Sequence, residues 1–335
     1  FILMLHIITR TCDKASIQSE RIVNKTECAL RCVNSILKNM KNLQHNSIST
    51  ECGVPYVTDV DYHIIDDRSS EYFKDSLTKI CEESKQKVTF DFLGDRDTEG
   101  QDPHSQSRFS VKVAYDYIYN LPDEDFVYIV DDDHLHTPNA IKRMLVTWNY
   151  LDYMVNFIHP RDEYRKKLWT GGMTDHQTNL KVFQFDERTD NDIGIFPQCF
   201  VQMFPYQSNP TMDFYVRPCI VLPTPTGYYR TTWYTHETFM LKAKVFKKHK
   251  ETFDRLQVTG TPEAGWEGDT ISDLWKEHVK MFMPLDPSVM HMSVSRDLPF
   301  TWRPEHAIKL WEDNITPYSL PENSDLNLKP EDIIL

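Results

Sequence analysis

Glycine is scarce in this 335-residue chain, with 10 in all, and none lies in Thr9–Ala15, the first loop after a strand-like start. A glycine-rich loop that wraps a phosphate with backbone amides is therefore not expected. Basic side chains are also in deficit: 37 Lys and Arg stand against 50 Asp and Glu, for a net charge of −13. That balance argues against a duplex nucleic-acid or anionic-membrane binder, which needs clustered cations. It leaves room for a phosphate-bearing small ligand, because a metal ion can supply the positive charge locally. The cysteines number seven, an odd count, and no Cys-x-x-Cys is present. Neither a disulfide framework nor a structural zinc site is expected. Free thiols and a cytoplasmic location are the expectation. No apolar run is long enough for a transmembrane helix: Phe1–Ile8 is interrupted by His6 and lacks the flanks of a signal peptide.

What is present is alternation. The length suggests about two domains, or one large α/β domain with additions. Leu3–Ile8, Val60–Ile65, Lys87–Leu93 and Asp125–Val130 are apolar runs of strand length. Between and after them, residues 25–43, Glu71–Ser84, Ser107–Asn120 and Thr137–Tyr150 carry helical periodicity, the last with Pro138 near its start. The order predicts a mostly parallel sheet flanked by helices, with ligands beyond the carboxyl ends of its strands. The pattern changes at about residue 151, so residues 1–150 and 151–303 are expected to form two halves of the core. Residues 304–335 are expected to form a polar tail. Lys181–Phe185 and Phe214–Leu222 suggest hairpins, and 236–257 and 269–281 suggest helices.

The most informative stretch is Val127-Tyr-Ile-Val-Asp-Asp-Asp133. Three adjacent carboxylates at a strand end repel one another unless a cation compensates. A hard divalent ion prefers such oxygen ligands and can also hold a diphosphate. The bland alternative is a solvated acidic loop or a cap for the following helix. His134 and His136 are expected at the entry to that helix, with a ligand role as the alternative.

Apolar strand, Asp-x-Asp, then Pro and helix resembles the metal motif of GT-A glycosyltransferases. His63-Ile-Ile-Asp-Asp-Arg-Ser-Ser70 resembles the Asp-Asp-Gly-Ser segment of family 2 enzymes, with Arg68 where that family usually has Gly. Ala264–Trp275 resembles the segment that carries the catalytic base, and His6–Arg10 resembles the opening strand. The resemblance implies a GT-A (Rossmann-like) α/β fold and a nucleotide-diphospho-sugar donor. It also implies a glycan or other hydroxyl acceptor, Mn²⁺ or Mg²⁺ as cofactor, a nucleotide-sugar-binding half in residues 1–150 and an acceptor-binding half with the catalytic base in 151–303. Thr9, Arg10, Asp66, Asp67, Asp131 and Asp132 would face the donor. Asp133, Asp131 and a late histidine, His291, would hold the metal; the alternative for His291 is ordinary packing in an apolar strand. Asp269 would be the base, with Glu267 as the other choice, because Gly268 stands where the family has Glu. Trp233, Tyr234, His236 and Trp266 fit an acceptor site, since aromatic faces stack on sugars. A non-catalytic carbohydrate-binding or interaction protein and a nucleotidyltransferase are the competing functions. A phosphatase of the haloacid dehalogenase type is disfavoured by Leu135, two places after Asp133, where that motif needs Thr or Val.

Overall fold

The computed structural model describes residues 3–14, 24–45, 57–94, 103–154, 192–197, 221–232, 238–255, 274, 277, 279–292 and 304–319. Its first half alternates as expected. The strands are β1 (Leu3–Thr11), β2 (Val57–Asp67), β3 (Val88–Leu93) and β4 (Phe126–Asp131), and the helices are α1 (Lys25–His45), α2 (Glu71–Ser84), α3 (Pro103–Ile118) and α4 (Ala140–Asp152). There follow β5 (His134–His136), β6 (Asp192–Ile195), β7 (Val221–Thr224), β8 (Gly227–Thr232), β9 (Phe239–Lys242), β10 (Val279–Pro284) and β11 (Val289–His291). Helices α5 (Ala243–Lys248), α6 (Lys250–Asp254) and α7 (Pro304–Asp313) complete the described elements.

Nine strands form one sheet in the order β3-β2-β1-β4-β9-β6-β10-β8-β7. β9 and β8 run against the others. Alternate residues of the central strands face opposite ways, as the period of two requires. Leu5, Ile7, Tyr62, Ile64, Phe126, Tyr128 and Val130 pack with residues of α1, α2 and α4. Ile8, Ile65, Val127 and Ile129 pack with residues of α3, α5 and α6. The result is a three-layer α/β fold whose inner strands are apolar on both faces. Among the described residues, no helix is long and apolar enough to cross a membrane.

Four expectations are corrected. His134–His136 is a strand paired antiparallel with β11, not a helix entry, and α4 starts only at Ala140. Within 236–257, Phe239–Lys242 is a strand: its three-residue apolar run, Phe239–Leu241, is buried on both sides and has no periodicity to separate strand from helix. Residues 279–281 belong to β10. After Pro304 the chain forms α7, which buries Ala307, Leu310 and Trp311 against Cys28, Cys32, Leu135 and Met290. β7 and β8 make a hairpin at the sheet edge, its turn closed by Gly227 at φ 131. Lys181–Phe185 and residues 214–220 lie outside the described residues.

Candidate functional site

β1 is flanked by β2 on one side and β4 on the other, and the chain proceeds outward from β1 through β2 to β3 before crossing to β4. The crevice beyond β1 and β4 is thus the point where strand order reverses, the usual ligand position in such sheets. In-register pairing brings Arg10 beside Asp131 and Thr11 beside Asp66. The polar residues at the ends of β1, β2 and β4 therefore meet in one place.

The three aspartates are treated differently. Asp131 is bound by Arg10, Nη2 to Oδ1 at 2.6 Å, and its backbone N–H donates to Thr238 Oγ1 at 3.3 Å. Asp132 is buried and ion-paired with Lys25, the first residue of α1; the Cys12 backbone N–H donates to its Oδ2 at 3.0 Å. Burial pushes the Asp132 carboxyl up, against the pull of Lys25. For Lys25 burial works against the charge, but Asp132 and Asp133 hold the ammonium protonated well above its ordinary range.

Asp133 has histidines instead. His291 Nε2 lies 3.1 Å from its Oδ2, and His134 Nδ1 lies 2.8 Å from its Oδ1. The second approach lacks hydrogen-bond geometry: Asp133 Oδ1 and both ring nitrogens of His134 are buried without a hydrogen-bond partner. Burial alone would raise the Asp133 carboxyl; His291 and Lys25 reverse that and hold it well below the usual carboxylate range. Burial, and then the charge of His291, lowers His134 to about 4, so its ring is neutral at pH 7 and keeps a lone pair. The two imidazoles are a directly opposed pair on β5 and β11 and stack at 4.5 Å and 15°. Leu135 and Met290, the next pair, face the other way into the core. The Met292 N–H donates to the Asp133 carbonyl at 2.7 Å, fixing the end of β11 to the triplet.

One ligand atom from each of Asp133, His134 and His291 lies within 4.8 Å of the others. A neutral imidazole, a second imidazole and an ionised carboxylate suit a divalent transition metal. The buried, unbonded atoms of Asp133 and His134 are the groups such an ion would satisfy.

At β2, Asp66 is wholly buried, accepting from Thr11 Oγ1 at 2.9 Å and from the Ser69 N–H at 3.2 Å. Burial raises its carboxyl despite these bonds. Thr9 is buried and accepts from the Tyr62 hydroxyl at 3.0 Å. Arg68 keeps the left-handed backbone that a glycine would favour, φ 64, and its Nε donates to Asp67 Oδ1 at 3.0 Å. Of the expected site residues, Thr9, Arg10, Asp66, Asp67, Asp131, Asp132, Asp133 and His291 are thus gathered at one edge of the sheet. Asp269, Glu267, Trp233, Tyr234, His236 and Trp266 lie outside the described residues. Sequence reasoning missed Lys25 and preferred a helix-entry place for His134 over a ligand role. The alternation of His134-Leu-His136 against Val289-Met-His291 was the available signal for the second.

No family model matches the sequence, and no curated protein matches it. Solved structures resemble it at low identity. A Staphylococcus aureus TarS fragment, 1–349, is 11% identical at a TM-score of 0.37, over 93% of this chain and 64% of that one. The galactosyltransferase LgtC, in complex with donor and acceptor sugar analogues, is 9% identical at 0.37, over 82% of this chain and 72% of that one. A putative glucose-1-phosphate thymidylyltransferase from Bacillus anthracis is 11% identical at 0.37, over 88% and 92%. The chain thus spans just under two thirds of the TarS fragment it resembles. At these scores none of the three assigns an activity to this chain.

Proposed function

We propose that the protein is a metal-dependent glycosyltransferase that moves a sugar from a nucleotide-diphospho-sugar to a hydroxyl acceptor. The observation that carries this reading is the sorting of the aspartate triplet at the strand-order switch point. Two of its carboxylates have fixed cations, Arg10 and Lys25, and the third faces His134 and His291. Asp133, His134 and His291 would hold the metal, and this nitrogen-rich set favours Mn²⁺ over Mg²⁺. When bound, the ion would offset charge on the departing nucleoside diphosphate. The end of β2 lies two strands from the end of β4, about 10 Å. That separation suits a nucleoside at Asp66 and Asp67 with its diphosphate at Asp131–Asp133.

In this reading Arg10 and Lys25 bring positive charge to the phosphates while keeping Asp131 and Asp132 in place. The acceptor hydroxyl oxygen bonds to the anomeric carbon as the bond from that carbon to the diphosphate oxygen breaks. Asp269, or Glu267, takes the hydroxyl proton, and Trp233, Tyr234, His236 and Trp266 line the acceptor side. A single in-line displacement inverts the anomeric centre.

The test is Mn²⁺ titration by calorimetry and by the melting temperature, with and without nucleoside diphosphate. Loss of one second-shell partner costs a metal site about 10–100-fold. Asp133→Asn, which alters a ligand itself, should therefore weaken Mn²⁺ binding by about a hundredfold or more. Unchanged Mn²⁺ affinity in that variant would sink the metal assignment whatever the activity.

A further inference from the structure

The two histidines of the candidate metal site stand on a ribbon too short to support itself. β5 and β11 form a two-stranded sheet of three residues each, separate from the nine-stranded one. An isolated pair of strands is at best marginal in water and needs a helix against its apolar face. His134 and His291 occupy one face of the ribbon, and Leu135 and Met290 the other. The helix on that second face is α7. Its Ala307, Leu310 and Trp311, at i, i+3 and i+4, make one apolar stripe. They are buried with Leu135, Met290 and Met292, and with Cys28 and Cys32 of α1.

Side chains of α1 seat α7 at its carboxyl end. A helix leaves its last carbonyls without partners, and Arg31, Asn34 and Lys38, at i, i+3 and i+7 along α1, supply them here. Arg31 Nη1 donates to the Trp311 carbonyl at 2.8 Å, Asn34 Nδ2 to the Asn314 carbonyl at 3.1 Å, and Lys38 Nζ to the Asp313 carbonyl. The two cations also suit the negative end of the helix dipole. The Arg31 guanidinium lies 4.2 Å from the centre of the Trp311 ring and is buried, ion-paired with Glu27. The Ser319 hydroxyl donates to the same Glu27 carboxylate at 2.6 Å. A buried ion pair adds little net stability, yet any arrangement that breaks it leaves a bare charge. The pair therefore defines one seat for α7. Glu27 is two residues from Lys25, so the turn of α1 that seats the C-terminal segment also holds Asp132. We propose that α7 is a clasp for the metal site, with Arg31 and Trp311 as positioning residues: docked on α1, it aligns His134 and His291 on Asp133, so that its docking and metal binding are linked. The inference rests on the metal reading above and makes the affinity of that site depend on the seating of the C-terminal segment.

Hydrogen exchange and Mn²⁺ calorimetry test this on the full chain. Linkage is reciprocal, so saturating Mn²⁺ should slow exchange of the α7 amides about tenfold. The amides of α3, packed on the other face of the nine-stranded sheet, should be little changed. Trp311→Ala should weaken Mn²⁺ binding about tenfold or more, the range for losing a residue that supports a metal ligand. Trp311→Phe, which returns a ring to Arg31, should restore most of the affinity. Phe253→Ala, in the core shared by α3 and α6, controls for lost packing: it should lower the urea midpoint and keep the wild-type Mn²⁺ affinity. Asp133→Asn should abolish the effect of Mn²⁺ on α7. The exchange measurement on the wild type needs no variant, so it decides even where Trp311→Ala fails to fold. Exchange in α7 indifferent to bound Mn²⁺, wild-type affinity in Trp311→Ala, or an equal loss in Phe253→Ala overturns the clasp and leaves the metal reading standing. A wild type that binds no Mn²⁺ overturns both.

Discussion

Asp131, Asp132 and Asp133 are consecutive, yet each has a different electrostatic partner, and the difference fixes what each can do. Asp132 is the most enclosed. Its pairing with Lys25 joins residues 107 apart in sequence, and both side chains are nearly buried. Removing one member of a buried pair leaves an uncompensated charge, which costs about 3–5 kcal/mol, whereas removing both is often close to neutral. Lys25→Met should therefore destabilise the fold by about 3 kcal/mol in urea, and Lys25→Met with Asp132→Asn should recover most of that loss. Additive losses would mean that the pair is not coupled. The triplet itself was legible in the sequence, because an apolar strand ending in three carboxylates is an electrostatic problem that demands cations. His291 entered through the family resemblance. Lys25 gave no signal, because nothing local marks a lysine whose partner is over a hundred residues away.

At the scale of elements, the first half of the fold was readable because its strands and helices differ in period. Glu71–Ser84 was bounded at the observed residues by the Ser70 cap. Two of the misread pieces, β5 and β9, are three and four residues long, too short to show any period. Both were placed by pairing, β5 with β11 and β9 between β4 and β6. The pairing of β9 explains one of the few glycines. A Cβ at Gly194 of β6 would lie 2.2 Å from Met281 Sδ on β10 and 2.7 Å from Leu241 Cδ2 on β9. Both atoms end flexible side chains, so they can yield at some cost. Gly194→Ala should destabilise by about 1–2 kcal/mol and Gly194→Val by about 3 kcal/mol, the range for overpacked cores. Urea denaturation of the two variants measures this; a Val variant as stable as wild type would show that β6 and its neighbours are looser than described.

At the scale of the whole molecule, the excess negative charge divides into a site and a surface, while the acidic groups left protonated lie in the core. Among the described residues, Cys28, Cys32 and Cys81 are buried and Cys12 half-buried, all as free thiols. Cys81 sits in the cluster under α2, where burial, and then the nearby charge of Glu82, pushes its thiol up to about 12 from an ordinary 9.0. Tyr62 is raised well above its ordinary range, mainly by burial. For such groups the folded chain holds its proton more tightly than the unfolded chain does. Their contribution is complete below the unfolded value and is lost as pH rises toward the folded one. For Cys81 the window runs from about pH 9 to about pH 12, with a slope of up to about 1.4 kcal/mol per pH unit. Cys81→Ala should cost about 1 kcal/mol at pH 7 through the small cavity it leaves. The same variant should lose stability less steeply than wild type between pH 9 and 11. Urea midpoints across that range compare the slopes directly, and parallel curves would mean that the Cys81 thiol ionises as readily in the folded chain as in the unfolded one. Iodoacetamide at pH 8 gives an independent reading of the same physics: native Cys81 should remain unmodified until urea exposes it, because neither the thiolate nor the solvent contact needed for alkylation is available in the fold.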